Sequence, residues 1–233
     1  MILQYSIVGG PDSDLFEIKT VKGKVQLAFK EAPDFEDPSD VGNNNSYNVI
    51  IRADDGNGGV ADQAVAISVQ NVKGITFQGT KAADVKNGTN EEDVLSGQGK
   101  NDTLSAKGGD DILNGGLGKD KLTGGLGEDI FVFDTKIAKN NADTIGDFSV
   151  ADDQFHLELD VFAKIGKLGG LAKAGFESND TGDAEDKSDR IIYNERNGEL
   201  YFDADGSKDK FDAILFAKIG KGMDLTFRDF DIV

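Results

Sequence analysis

Gly115-Gly116-Leu117-Gly118-Lys119-Asp120-Lys121-Leu122-Thr123 runs without a break into Gly124-Gly125-Leu126-Gly127-Glu128-Asp129-Ile130-Phe131-Val132. Both nonamers read G-G-x-G-x-D-x-U-x, where U is apolar. Working upstream, Asp recurs at 84, 93, 102, 111, 120 and 129, always nine residues apart. Five residues before each Asp stand Gly79, Gly88, Gly97, Ala106, Gly115 and Gly124; two residues after stand Lys86, Leu95, Leu104, Leu113, Leu122 and Phe131. The earlier units decay. Gln98 and Lys107 replace the second glycine and Lys100 the fourth-position one, and Lys86 breaks the apolar position, so the unit at 79–87 reads as an incomplete rung.

A unit of nine residues has room for one tight turn and one very short strand. Two units then make an 18-residue coil of a right-handed parallel β-roll, with the apolar position pointing inward and glycines supplying positive-φ turns. Each Asp stacks over the Asp two units away, about one strand spacing (~4.8 Å) distant. Two carboxylates that close repel by about 1 kcal/mol in water and roughly 3 kcal/mol at an effective dielectric of 20. Such a ladder needs a cation. Turn carbonyls with stacked carboxylates form the all-oxygen set that a hard dication takes, and its binding energy then becomes folding energy. A phosphate-binding loop is excluded, because Gly118-Lys119 is followed by Asp120 rather than Ser or Thr.

These residues resemble the RTX, or hemolysin-type calcium-binding, repeat family, closely over 84–132 and more loosely over 133–233. The resemblance implies several Ca2+ ions, each between turns n and n+2. The first turn gives the carbonyls of positions two and four and its Asp, and the second gives the carbonyls of positions one and three and its Asp. Carried over, one site takes Gln98, Lys100 and Asp102 with Gly115, Leu117 and Asp120. A second takes Lys107, Gly109 and Asp111 with Gly124, Leu126 and Asp129. A third takes Thr89, Glu91 and Asp93 with Ala106, Gly108 and Asp111, and a fourth pairs Asp84 with Asp102. Asp147, 18 residues after Asp129, is expected to face Gly125 and Gly127 in a further site.

The rest of the chain narrows the class. There are 233 residues, no Cys, no Trp, one His, 25 Lys+Arg and 43 Asp+Glu, for a net charge of −18. This excludes disulfide scaffolds, thiol chemistry and multi-His metal sites, and it argues against nucleic-acid partners. No apolar run is long enough to span a membrane, and no basic-then-apolar N-terminal signal is present. Neither H-E-x-x-H nor G-x-S-x-G occurs, and His156 reads as a structural residue in an alternating strand, so no enzyme is expected.

Residues 1–74 alternate with period two at Leu3, Tyr5 and Ile7, at Val25, Leu27 and Phe29, at Tyr47, Val49, Ile51 and Ala53, and at Val65, Ile67 and Val69, between turn clusters. This predicts an incomplete antiparallel β-sandwich, which begins within a strand and whose bare edges favour a homodimer. Tyr5-Ser6-Ile7, Asp14-Leu15-Phe16, Pro33-Asp34-Phe35-Glu36 and Tyr47 through Asp55-Gly56 resemble bacterial cadherin-like repeats. That resemblance makes Asp34, Glu36 and Asp55 candidate calcium ligands, although the junction at 69–73 lacks the family's acidic linker. Asp37-Pro38 is a candidate self-cleavage point of the kind some RTX proteins use.

Residues 136–233 read as a β-rich cap behind the roll at 75–135. They hold a hairpin at 190–203 around Asn197-Gly198, an acidic solvated loop at 177–189, and Phe-Ala-Lys-Ile-Gly-Lys twice, at 162–167 and 216–221, as two amphipathic turns. Phe131-Val132-Phe133-Asp134, Asp143-Thr144-Ile145-Gly146-Asp147-Phe148, Tyr201-Phe202-Asp203-Ala204-Asp205-Gly206 and the ending Asp229-Phe230-Asp231-Ile232-Val233 resemble the C-terminal segments of type I secretion substrates. The expectation is a secreted, extracellular, non-enzymatic calcium-binding module of a bacterial surface adhesin or hemolysin-like protein. Cell-surface polysaccharide or matrix is its expected partner. The alternatives are the tail of a secreted enzyme, or a carbohydrate-binding module using Tyr193 and Tyr201.

Overall fold

The computed structural model describes residues 3–35, 38–71, 73–206 and 212–233. Glu36, the Asp37-Pro38 bond and Val72 of the 69–73 junction lie outside the described residues. The chain divides into two units, Met1–Val72 and Lys73–Val233.

The first unit holds β1 (Gln4–Gly9), β2 (Phe16–Val21), β3 (Lys24–Phe29), β4 (Ser46–Asp54) and β5 (Val60–Ser68). Among the described residues β1, β4 and β5 form an antiparallel sheet, and β2 pairs with β3. That hairpin turns at Lys22-Gly23, both at positive φ (50° and 76°), the geometry a two-residue loop requires. Tyr47 and Val49 are buried while Asn48 between them is exposed, as the alternation dictates. They pack with Phe16, and Phe29 lies edge-on to Tyr47 at 5.0 Å. Buried carboxylates fix the loops: Asp12 accepts from the amides of Val41 and Asn48, and Asp40 from those of Gly42, Asn44 and Asn45.

The second unit continues as β6 (Thr76–Gln78), β7 (Val85–Asn87), β8 (Val94–Ser96), β9 (Thr103–Gly108), β10 (Ile112–Asn114), β11 (Lys121–Leu126), β12 (Ile130–Phe133), β13 (Asp143–Ile145), β14 (Gln154–Leu157), β15 (Gly169–Gly170), β16 (Phe176–Asn179), β17 (Ile191–Asn194), β18 (Glu199–Phe202), β19 (Ile214–Lys218) and β20 (Phe230–Ile232). Successive nonamers alternate between two sheets that are parallel through the repeats; further on, β15 runs antiparallel to β20, and β18 to β17 and β19. One runs β15-β20-β14-β12-β10-β8-β6, the other β16-β17-β18-β19-β13-β11-β9-β7. Within the repeats each residue pairs with the one 18 positions on, as in Leu95↔Leu113 and Leu104↔Leu122.

Leu95, Leu104, Leu113, Leu122 and Phe131 are all at most 1% exposed and form the core between the sheets. Phe77 pairs with Leu95 and extends this stack one rung earlier. The unit at 79–87 corrects the expectation of an incomplete rung: β7 pairs with β9 in register, and Lys86 faces Leu104. The Lys86 ammonium lies 5.2 Å from the Phe77 ring centroid, so its aliphatic stem fills the apolar position while its charge rests on an aromatic face.

Residues 136–233 extend both sheets of the roll within the same unit. Phe148 and Phe230 stack on either side of Phe155, with centroids at 4.3 and 4.9 Å. The hairpin forms as β17 and β18, with Gly198 at φ 76°. Two expectations are corrected. The 177–189 stretch is not simply a solvated loop, because its start belongs to β16 and Asp189 is only 5% exposed. Of the two identical hexamers, the one at 162–167 is turn, but the one at 216–221 begins inside β19. Their phenylalanines meet edge-on, Phe162 against Phe216 at 5.2 Å, so one sequence serves the same core in two backbone conformations. Among the described residues no helix is long and apolar enough to cross a membrane.

Candidate metal centre

The four repeat turns from 97 to 132 carry a left-handed residue at positions two and four. Gln98, Lys107, Gly116 and Gly125 have φ of 70°, 89°, 87° and 119°; Lys100, Gly109, Gly118 and Gly127 have 71°, 98°, 154° and 124°. These turns bring the stacked coils into near contact. A Cβ on Gly125 would stand 2.0 Å from the Lys107 carbonyl oxygen, and one on Gly127 would stand 2.3 Å from that of Gly109. Glycine at these places lets main-chain oxygens line the seam between coils.

The Asp ladder is held by a repeated bond. The amide of Asp93 donates to Oδ1 of Asp111 at 2.6 Å, Asp102 to Asp120 at 2.7 Å, and Asp111 to Asp129 at 3.1 Å. The second oxygen, Oδ2, of Asp102, Asp111, Asp120 and Asp129 is buried with no hydrogen-bond partner among the described residues. An orphaned buried carboxylate oxygen is costly. Burial, reinforced by neighbouring carboxylates, pushes Asp111 up to about 7, and Asp120 and Asp129 up to about 6. Asp143 is driven to about 8 by burial and by Asp120.

The first two ligand sets are brought together. Leu117 donates its amide to the Gln98 carbonyl, Gly118 sits against the Lys100 carbonyl, and Gly97 faces the Gly115 carbonyl beneath the Asp102–Asp120 bond. Gly125 and Leu126 pair with Lys107 and Gly108 above Asp111 and Asp129, where Gly124 lies against the Asp129 carboxylate.

The third set differs. Thr89 and Glu91 are not left-handed. Oδ2 of Asp93 accepts the Thr89 amide at 2.6 Å, and the Thr89 hydroxyl donates to its Oδ1. This turn is closed by its own side chains, although Gly88 still abuts the Ala106 carbonyl and Gly109 abuts Glu91. Asp84 is closed in the same way, by Thr80.

Asp147 does not hold the ladder position expected of it. The amide of Asp129 donates to Asp153, 24 residues on, and that of Asp120 donates to Asp143, 23 residues on. The coils beyond 133 carry five and six residues more than 18, which shifts the register. Asp147 instead accepts from the Gly124 amide at 3.1 Å, beside the Asp129 turn. Asp143 and Asp153 were not found from nonamer spacing, yet each is followed two residues later by a buried apolar side chain, Ile145 and Phe155. The D-x-U core of the motif was the available signal. Within the longer coil, Thr135 donates to the Gly116 carbonyl, and the Asn141 side chain accepts from the Gly118 amide, capping that turn.

Asp55 is a half-buried turn carboxylate held below its usual range by the amides of Asn57 and Gly59. Tyr193 is buried in the hairpin and donates to the Gly220 carbonyl; Tyr201 donates to Glu199. His156 sits in β14, paired with Val132 and Asp231.

Among the described residues no three His, Asp or Glu side chains converge on one point. A cation here must therefore draw on main-chain carbonyls beside the paired carboxylates. The donor set is all oxygen, four of its atoms are buried and unsatisfied, and the seam excludes side chains, so the residues fit a calcium-class ion.

The family model of the RTX calcium-binding nonapeptide repeat (4 copies) matches residues 87–122 and, overlapping, 96–131. No curated protein matches the chain. Among solved structures the chain is similar to the AlgE6R3 subunit from the Azotobacter vinelandii mannuronan C5-epimerase, at 23% identity over 70% of this chain and 85% of that one, with a TM-score of 0.40. Residues 87–131 are thus RTX calcium-binding nonapeptide repeats. The unit that contains them is a parallel β-roll.

Proposed function

We propose that the chain is a secreted, non-enzymatic module whose roll tightens on Ca2+ outside the cell, within an adhesin- or hemolysin-like surface protein exported by a type I route. The observation that carries this reading is the set of four buried, partnerless Oδ2 atoms on Asp102, Asp111, Asp120 and Asp129. Bound Ca2+ supplies positive charge and coordination to those oxygens. The protein's part is to hold each Oδ1 on the amide of the coil below and to keep glycine at 116, 118, 125 and 127, where a side chain would meet the carbonyls of the coil before. At low cytosolic calcium the ladder repels itself and the chain stays loose enough to export. At extracellular calcium, modules of this kind need only ~0.1–1 mM affinity. The antiparallel unit at 1–72 serves as the cadherin-like attachment part.

The test is a Ca2+ titration of the whole chain followed by far-UV circular dichroism, with Mg2+ as control. A cooperative gain of β signal with Ca2+ alone supports the reading. A spectrum fully β in chelator and unchanged by Ca2+ rejects it.

A further inference from the structure

Outside the repeats, the turn 203–206 that follows β18 holds a second kind of unsatisfied carboxylate. Asp205 is 9% exposed, and both of its carboxylate oxygens are buried without a hydrogen-bond partner among the described residues. Asp203, 5% exposed, accepts the amides of Asp205 and Gly206 on Oδ1, each at 2.9 Å, and its own amide donates to the Arg190 carbonyl. Gly206 has φ +67°, and a Cβ there would stand 2.5 Å from the Asp186 carbonyl oxygen, so the turn is pressed against 186–187.

The surroundings are acidic. Asp189 is buried and accepts the amides of Glu185 and Asp186. Among the described residues no ion pair reaches this turn. Arg190 gives its hydrogen bonds to the carbonyls of Lys164, Lys187 and Asp189 rather than to a carboxylate.

A buried carboxylate with neither oxygen satisfied is costly; a proton would relieve one oxygen, through a bond to the adjoining Asp203 carboxylate, and leave the other bare. A cation satisfies both oxygens. We propose that Asp203 and Asp205, with the Asp186 carbonyl as the adjoining main-chain oxygen, form a calcium site separate from the nonapeptide ladder. Calcium is favoured over magnesium because it accepts irregular, all-oxygen surroundings, whereas magnesium demands a near-ideal octahedron. The site would tie the 183–189 segment to the end of β18 and so brace the hairpin that continues the roll. It stands on its own residues, whether or not the ladder loads.

The experiment counts Ca2+ bound per full-length chain by equilibrium dialysis, for the unmodified chain, Asp205→Asn and Asp120→Asn. Asp205→Asn is expected to bind one ion fewer and, in chelator, to melt above the unmodified chain because the orphan charge is gone. A full complement in Asp205→Asn, with loss in Asp120→Asn, overturns this site and leaves the repeat reading intact. Loss in Asp205→Asn alone supports this site and counts against the ladder. If Asp205→Asn does not fold, Asp203→Asn takes its place, since the amide oxygen still accepts the two turn amides. The same one-ion loss is expected, and an unchanged count overturns the proposal.

Discussion

The amide of Asp102 donates to Oδ1 of Asp120 at 2.7 Å, while Oδ2 of that same carboxylate is buried with nothing to accept. One oxygen fixes the stacking of two coils and the other is left for a cation. The chain alone sets the spacing of the ladder, and the cation relieves the repulsion that this spacing creates.

Asp120→Asn separates these two roles. The Asn side-chain oxygen still accepts the Asp102 amide, but the charge is lost. Calcium affinity is expected to fall roughly tenfold or more, because ligand charge count sets affinity in such sites. In chelator the same variant should melt at least as high as the parent. Calorimetric titration and thermal melts with and without Ca2+ check both arms.

Glycine placement makes a sharper forecast. Gly125→Ala at φ +119° meets the Lys107 carbonyl and should destabilise the roll by about 1–3 kcal/mol. Gly23→Ala, at φ +76° with open space around it, should cost about 1 kcal/mol from backbone strain alone. Lys107→Gly, which relieves a left-handed lysine at φ 89°, should stabilise by up to about 1 kcal/mol. Urea unfolding of the three variants in chelator ranks them.

Leu113 and Leu117 lie four residues apart, at 0% and 53% exposure. Leu113→Ala should cost about 2–5 kcal/mol by opening a void between the sheets. Leu117→Ala should change stability by less than about 0.5 kcal/mol. Equal effects, read from urea midpoints, would mean that the inward face has been misassigned.

The pH dependence has a definite sign. Burial holds Asp111 at about 7, Asp120 and Asp129 at about 6, and Asp143 at about 8, all above the unfolded value near 3.9. The folded state thus keeps protons that the unfolded chain has released. Stability in chelator is full below about pH 4 for these groups and is lost as pH rises towards about 8. Calcium binding requires the ionised ligands, so affinity should climb over the same window. From about pH 5 to about pH 8.5 the melting temperature should fall in chelator and stay nearly level in saturating Ca2+, which keeps the ligands ionised throughout.

The nonamer period made the β-roll and its inward row legible, because spacing alone decides which side chains face each other when every coil is the same length. Legibility ended where coil length changed. Asp153 replaced Asp147 as the partner of Asp129 because residues added after 133 break the 18-residue count. Lys86 reads as a break in the apolar row because it is charged, whereas its stem can lie in that row with the charge over Phe77. Asp205 could be quoted as part of a phrase, but the sequence does not show that folding strips both of its oxygens of water. Thr89 shows the converse: its hydroxyl satisfies Asp93 locally, which the Asp spacing does not reveal.

The placement of β20 has a temporal consequence. Phe230–Ile232 lies between β14 and β15 in the sheet, and Phe230 covers Phe155. Sequence neighbours cannot complete that layer; it waits for residues some 75 positions downstream of Phe155. While the chain is being synthesised or threaded, the upstream coils can stack but the end of the barrel-like core stays open. Arrival of three residues shuts it, so this late segment acts as a latch on the coils built before it.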